Sequence, residues 1–312
     1  MKTIVIITLN PAIDKSSSVE HVVPERKLYC KPPLFEPGGG GVNVSRAIKK
    51  LGGKSILLYP TGGLTGERLQ ELLNEEGLIH RPFPIKGLIR ESLVILEEST
   101  GQQYRFGMPG PEIQKKECEQ FLQELSAIKP SPDYLVASGS LPPGVPTDFF
   151  AQVARIGKNR GTKTIIDSSG EALEQALQEG VYLIKPNVRE FRELVGDDIA
   201  EKSQIKAEAK KMVKSGKCEV LVISLGAGGA LMVSDENDEH ILPPTVPIVS
   251  KVGAGDSMVA GIVLSLALGK PLRESILFGV AAGTAAVMTP GTELCRMEDT
   301  KRLFENMVLK GK

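Results

Sequence analysis

Between Glu112 and Ser224 the chain alternates apolar runs of strand length with amphipathic stretches of helical length, and no other feature constrains its fold as strongly. Helices are expected over 112–128, 147–159, 171–178, about 188–195 and 204–215, and strands over 134–138, 164–167, 181–185 and 220–224. Strands joined through helices run parallel, and a parallel sheet must be covered on both faces. The fold class that follows is α/β, a doubly wound and mostly parallel sheet flanked by helices. Thr3–Leu9 (TIVIITL) is apolar throughout and reads as another strand buried on both sides, as does Ser55–Tyr59, with a helix over 65–76 ending at Gly77.

Two segments break the alternation. The first, about 15–35, has no helical period and carries Lys27, Tyr29 and several prolines. The second, about 90–107, reads as strands at 92–97 and 102–107 joined through Glu98-Ser-Thr-Gly101. Together they are expected to form a small antiparallel lid on one domain spanning 1–312, a length sufficient for one substantial core.

Open α/β sheets bind ligands beyond the C-terminal ends of their strands. Asp14 is expected just past the first of these ends. Others carry Ser138-Gly-Ser140, Asp167-Ser-Ser-Gly170, Lys185-Pro-Asn187 with Glu190 one turn on, and Ser224-Leu-Gly226 with Gly228-Gly229. Any one of these is ordinary turn chemistry. Their concentration at one sheet edge favours a shared crevice.

Two glycine-rich loops lead directly into helices. Pro37-Gly-Gly-Gly-Gly-Val-Asn43 precedes a helix with Val44, Ala47, Ile48 and Leu51 on one face, an arrangement suited to close backbone approach by a polar ligand. Val252-Gly-Ala-Gly-Asp256-Ser-Met258 precedes a helix running to about 268. Amides of Gly253, Ala254 and Gly255, with the positive end of the helix dipole, suit a phosphoryl group. Asp256 can then accept a proton from an attacking hydroxyl, although an aspartate after a glycine turn can equally be a helix cap. Gly53-Lys54-Ser55 is no P-loop, because Ile48 stands where the earlier glycine is required.

Composition narrows the partners. Lys plus Arg and Asp plus Glu are 38 each with no basic block, which argues against nucleic acid. No apolar run approaches the roughly 18 residues of a membrane span, and the N-terminus reads as a strand, so a cytoplasmic protein is expected. Cys30, Cys118, Cys218 and Cys295, like His21, His80 and His240, are too scattered to suggest a zinc site, a disulfide framework or a histidine-centred triad.

The motifs Pro37–Asn43, Leu183-Ile-Lys-Pro-Asn187-Val-Arg-Glu190, Ser224-Leu-Gly-Ala-Gly-Gly229 and Val252–Met258 stand in the order found in ribokinase-like (PfkB-type) sugar kinases, and the resemblance covers essentially the whole chain. Leu9–Asp14, Phe35–Gly41, Gln103-Tyr-Arg-Phe106 and Ile166–Ala172 are similar to the branch acting on fructose 6-phosphate. The 1-phosphofructokinases and tagatose 6-phosphate kinases share much of this pattern. The former usually place a lysine between the first glycines, where this chain has glycine throughout 38–41.

The resemblance implies that Asp256 is the base and Gly253, Ala254 and Gly255 the anion hole. It implies that Asp14, Gly39, Gly40 and Asn43 hold the sugar, with Lys27, Arg90 and Ser140 at its existing phosphate. Lys185, Asn187, Ser224, Gly226 and Gly229 would line an ATP site, with Glu190 organising Mg2+ through water. Ser250, Val252, Ala286 and Gly291 would form a loop for K+. A homodimer through the lid is also implied, consistent with an apolar lid face including Val22, Leu93, Ile95 and Phe106. A reading from a different class is a catalytically silent sugar-phosphate sensor, against which the presence of Asp256 speaks.

Overall fold

The first strand, β1 (Ile4–Ile7), is buried along its whole length, and the reason is its position inside the main sheet. In the computed structural model, which describes residues 1–196 and 202–310, the chain next builds β2 (Ala12–Val19), β3 (Leu34–Gly38), α1 (Gly40–Lys50), β4 (Ile56–Thr61) and α2 (Gly63–Glu75). Then come β5 (Ile79–Pro84), β6 (Arg90–Glu97), β7 (Gln103–Phe106) and α3 (Lys115–Ala127). The regular half follows as β8 (Tyr134–Ser138), α4 (Phe149–Asn159), β9 (Lys163–Asp167), α5 (Gly170–Leu177), β10 (Val181–Ile184), α6 (Val188–Val195), α7 (Lys202–Lys214) and β11 (Cys218–Ser224). A hairpin of β12 (Ala230–Ser234) and β13 (Asp238–Ile241) precedes α8 (Ala254–Ala267), α9 (Leu272–Ala286) and α10 (Met297–Lys310).

The nine-stranded sheet has the order β13-β12-β11-β10-β9-β8-β1-β4-β5. Seven strands are parallel, and β12 and β13 continue the sheet antiparallel at one edge. The doubly wound, mostly parallel class is therefore the observed one. Strand β5 was not expected from the sequence: Pro82 and Pro84 argue against a strand, and prolines are tolerated here because β5 is the edge. The β12–β13 hairpin also lies outside the expected alternation.

The lid is a separate four-stranded sheet, β3-β2-β6-β7. It corrects two expectations. Its central pair, β2 and β6, runs parallel, because each leaves the same end of the main sheet after a parallel strand, β1 or β5. The lid also begins before residue 15: Asp14, which follows the end of β1 as expected, already lies inside β2, opposite Glu36 of β3 and Ser92 of β6.

The longest helical contact is between α8 and α9, whose backbones touch at paired glycines. A Cβ at Gly261 would lie 2.9 Å from the Cα of Gly279, so neither position has room for a side chain. This packing fixes the N-terminus of α8, where the second glycine loop ends. Among the described residues, no helix is long and apolar enough to cross a membrane.

Candidate active site

Gly253 caps α8 in a left-handed conformation (φ 71°), and a Cβ there would lie 2.2 Å from Leu294 Cδ2. Only glycine satisfies both conditions. Gly253, Ala254 and Gly255 therefore turn their amides outward at a helix start that no side chain caps. Asp256, in the first turn, is not the cap. Its Oδ2 accepts a hydrogen bond of 2.9 Å from Asn43 Nδ2 on α1, so its carboxylate faces across the loop instead of back along its own helix. Burial pushes its pKa up to about 6; the negative charge of Asp167 adds to this, while Asn43 and Lys185 oppose it. A carboxylate poised there is ionised at neutral pH and retains real basicity.

Lys185, at the end of β10, is buried, and its Nζ lies 3.2 Å from Asp167 Oδ1. A Cβ on Gly255 would come within 3.2 Å of the same nitrogen, so the ammonium stands at the anion loop itself. Burial works against its charge, but the carboxylates of Asp167 and Asp256 outweigh that and raise its pKa. Burial raises that of Asp167, opposed by Lys185. Asp167 was recognisable in the sequence only as a polar strand end, because Asp-Ser-Ser-Gly is also a common turn composition.

On the same edge, Asn187 caps α6 reciprocally with Glu190: Glu190 N donates to Asn187 Oδ1 and Asn187 N to Glu190 Oε2, each at 2.9 Å. Ser224 N donates to Pro186 O at 2.9 Å, which joins the ends of β10 and β11. Beyond β11, Gly229 has φ 84°, and its ideal Cβ would overlap Ile241 O. Gly226 opens that short turn with φ 60°. Asn187, Ser224, Gly226 and Gly229 thus line the continuation of the sheet edge, with Lys185 between them and Asp256. No group of three His, Cys, Asp or Glu side chains suited to a metal occurs among the described residues. Glu190 and Asp167, close enough for their charges to interact, offer the one or two carboxylates that suit an Mg2+ otherwise held by water and phosphates.

Between this edge and the lid lies a cleft of about 300 Å³ whose lining includes Asp14, Gly39, Gly40, Asn43, Arg90 and Asp256. Burial raises the pKa of Asp14, opposed by Arg90, Arg46 and Arg105. Arg90 donates to Asn10 O (3.1 Å) and Met108 O (3.3 Å), and its Nε is buried without a partner. Arg105 of β7 enters the cleft from the lid's outer strand. It was given no role in the sequence, where it stood only as part of the Gln103-Tyr-Arg-Phe106 motif of the resemblance, and it is itself exposed. Ser140 accepts a 3.0 Å hydrogen bond from Asn10 Nδ2 but is exposed and outside the cleft lining. Lys27 is not brought to the cleft by this chain; it is exposed, with Nζ 5.1 Å from the centre of the Tyr29 ring. Leu93 and Phe106, expected on an outer apolar face, also line the cleft, while Ile95 is buried.

Behind the anion loop, Ser250 Oγ donates to Gly291 O and accepts from Val252 N, both at 3.2 Å. Ala286 O accepts from Thr289 Oγ1 at 2.8 Å. The four residues expected to hold K+ thus belong to two loops that meet behind Gly253, and the carbonyls of Ala286 and Gly291 are at present bonded to hydroxyls.

A half-buried carboxylate set against uncapped amides, with arginines across an adjoining cleft, defines a phosphotransferase with an alcohol acceptor. The chain belongs to the pfkB family of carbohydrate kinases, whose pattern matches residues 4–300. It is 43% identical over 302 residues to an ATP-dependent 6-phosphofructokinase isozyme 2 of Mycobacterium tuberculosis, covering 97% of this chain and 89% of that one. The protein of the same description from Escherichia coli is 42% identical over 305 residues, covering 97% and 98%. Structures of Escherichia coli phosphofructokinase-2 in complex with potassium and with fructose-6-phosphate give TM-scores of 0.95 and 0.94 at 41% identity, covering 99% of this chain and 100% of that one. A 1-phosphofructokinase of Bacillus subtilis is 32% identical over 289 residues, covering 92% and 94%.

Proposed function

We propose that this sugar kinase transfers the terminal phosphoryl group of ATP to the 1-hydroxyl of fructose 6-phosphate, yielding fructose 1,6-bisphosphate and ADP. The observation that carries the reading is Asp256, a half-buried base opening onto a cleft that Arg90 and Arg105 also line. Such a cleft suits a hydroxylated ligand that already bears an anion. The higher identity to 6-phosphofructokinases than to the 1-phosphofructokinase supports this acceptor over its isomer.

In this reading Asp14, Gly39, Gly40 and Asn43 hold sugar hydroxyls, and Arg90 and Arg105 face the phosphate that does not react. Asp256 takes the proton from the 1-hydroxyl as its oxygen bonds to the γ-phosphorus and the bond to the β–γ bridging oxygen breaks, leaving ADP. The amides of Gly253, Ala254 and Gly255 and the ammonium of Lys185 stabilise the charge that spreads over the moving group. Asn187, Ser224, Gly226 and Gly229 hold the nucleotide. Mg2+, fitted by Glu190 through water with Asp167 nearby, would neutralise charge on the ATP phosphates. Lid closure over the cleft would exclude water, which otherwise competes as acceptor.

K+ is proposed for the Ser250/Val252 and Ala286/Gly291 loops, a placement supported by their meeting behind the anion hole and by the potassium complex of the Escherichia coli relative. A cytoplasmic homodimer paired through the lid completes the proposal; Lys27 and Ser140 remain candidates for the phosphate end. The deciding experiment is coupled ADP release with fructose 6-phosphate, tagatose 6-phosphate, fructose 1-phosphate and uncharged sugars. The highest kcat/KM is expected for fructose 6-phosphate. A preference for either other phosphate would reassign the acceptor, and ligand binding without any turnover would establish a sensor.

A further inference from the structure

Arg46 is the largest fully buried side chain among the described residues, although it is an arginine on a helix, and its partners come from three different segments. Its Nε donates to both carboxylate oxygens of Glu76 at 2.9 Å, just beyond α2. One terminal nitrogen donates to Pro37 O at 3.0 Å and Thr292 O at 3.2 Å, and the other to Glu36 Oε1 at 3.1 Å. The Thr292 hydroxyl closes the circuit by donating to Glu36 Oε2. These are not incidental places. Pro37 and Glu36 belong to the lid strand β3 at the point where it becomes the first glycine loop, and Glu36 sits opposite Asp14 in the lid. Thr292 lines the cleft one residue after Gly291 and two before Leu294, the residue packed against Gly253. Arg46 also follows Asn43 by one turn on α1, and Asn43 holds Asp256.

A buried guanidinium carries a large desolvation cost, and replacing such a group by apolar packing is often neutral or favourable for stability alone. Its planar fork, by contrast, fixes several acceptors in one mutual geometry. We propose that Glu36, Arg46 and Thr292 form a strut that holds the lid hinge in register with the anion hole, so that lid position and alignment of the base with the phosphoryl group are set together. They are positioning residues: Arg46 and Glu36 act through the elements they join, and the Thr292 hydroxyl is committed to Glu36. The inference rests on the sugar-phosphate kinase reading above.

The test uses the full chain and steady-state kinetics with fructose 6-phosphate and Mg-ATP. Thr292→Val keeps the shape and loses the hydroxyl; Thr292→Ser keeps the hydroxyl; Glu36→Gln leaves one acceptor oxygen in place of two. Thr292→Val and Glu36→Gln should each lower kcat about tenfold, the scale of a small misalignment of reacting groups, with KM for ATP changed less than about twofold. Thr292→Ser should restore most of the rate. The double variant should be no slower than the slower single one, because both substitutions break one contact. Arg46 is left intact, and thermal unfolding of each variant verifies that it is folded at the assay temperature. Multiplying losses in the double variant, a serine as slow as the valine, or rates near wild type throughout would overturn the strut. A wild-type protein that turns over none of the sugar phosphates would overturn the kinase reading, and the strut with it.

Discussion

Asp256 is half-buried with a neighbouring carboxylate at its back, and those two facts set its working range. Only the ionised form accepts a proton, so kcat/KM should fall about tenfold per pH unit below an acid limb near about 6, the value to which burial raises it. Asp256→Asn should remove that limb and lower kcat about 100- to 10,000-fold while leaving ligand affinities nearly unchanged. Pre-steady-state and pH-rate measurements check both parts; near-normal turnover in the asparagine variant would displace Asp256 from its role. At the other end of the cleft, Arg90→Ala and Arg105→Ala should chiefly raise KM for the phosphorylated sugar. Should either lose kcat at saturation with KM preserved, the arginines face the reacting group instead. The difference between what could and could not be read from sequence is visible at this scale. Asp256 was legible because glycine spacing and a carboxylate imply chemistry together. The roles of Arg105 and Arg46 were not: Arg105 is an exposed strand residue that reaches the cleft only through the fold of the lid, and Arg46 is a helix residue that tertiary packing alone turns inward.

At the scale of elements, the long parallel strands were legible because continuous apolar runs between amphipathic helices have few other solutions. The exceptions have physical causes. Strand β5 is an edge strand whose prolines need no ladder partner on their open side, and β13 carries Asp-Glu-His because it is an exposed edge. Asp14 was legible as lying past the end of β1 but not as a strand residue, because Asp-Lys-Ser-Ser-Ser is polar throughout; it is a strand because it pairs on both sides within the lid. The anion loop offers a test of how much geometry a single position carries. Gly52 and Gly253 have nearly the same positive φ, 74° and 71°, but an added Cβ meets nothing within 4 Å at Gly52 and Leu294 at Gly253. Gly52→Ala should cost only the backbone strain, about 1–2 kcal/mol by chemical denaturation, with turnover intact. Gly253→Ala should cost more than that and reduce kcat by at least about tenfold, because the first amide of α8 must move. Equal behaviour of the two variants would mean that the loop tolerates displacement and does not form a preorganised anion hole. The loops behind it make a related prediction. If the carbonyls of Ala286 and Gly291 surround a large monovalent cation, replacing Na+ by K+ at constant ionic strength should raise kcat, and equal rates would remove the cation from the proposal.

At the scale of the whole molecule, the lid leaves apolar side chains uncovered. The lid and the connection between β2 and β3 expose Tyr29 (79%) and Leu34 (59%), with Val23 and Leu28 at 36% each. The lid has only four strands, and its outer members β3 and β7 each leave one edge unpaired. A small sheet with open edges and uncovered apolar side chains is a liability in a monomer, and symmetric pairing is the common way to bury both. Leu93 and Phe106 belong to the cleft, so they are poor probes of assembly; Leu34, exposed and outside the cleft lining, is a better one. A charge at Leu34 would have to be desolvated in any interface that covers it. Leu34→Asp should therefore give a folded chain that sediments as monomer where the wild type sediments as dimer. Because β3 leads into the first glycine loop and holds Glu36 next to Asp14, the same substitution should also weaken sugar-phosphate binding. Sedimentation velocity at micromolar concentration, paired with titration of fructose 6-phosphate, reads both effects. A monomeric wild type, or a Leu34→Asp dimer as stable as the wild type, would rule out the lid as the interface.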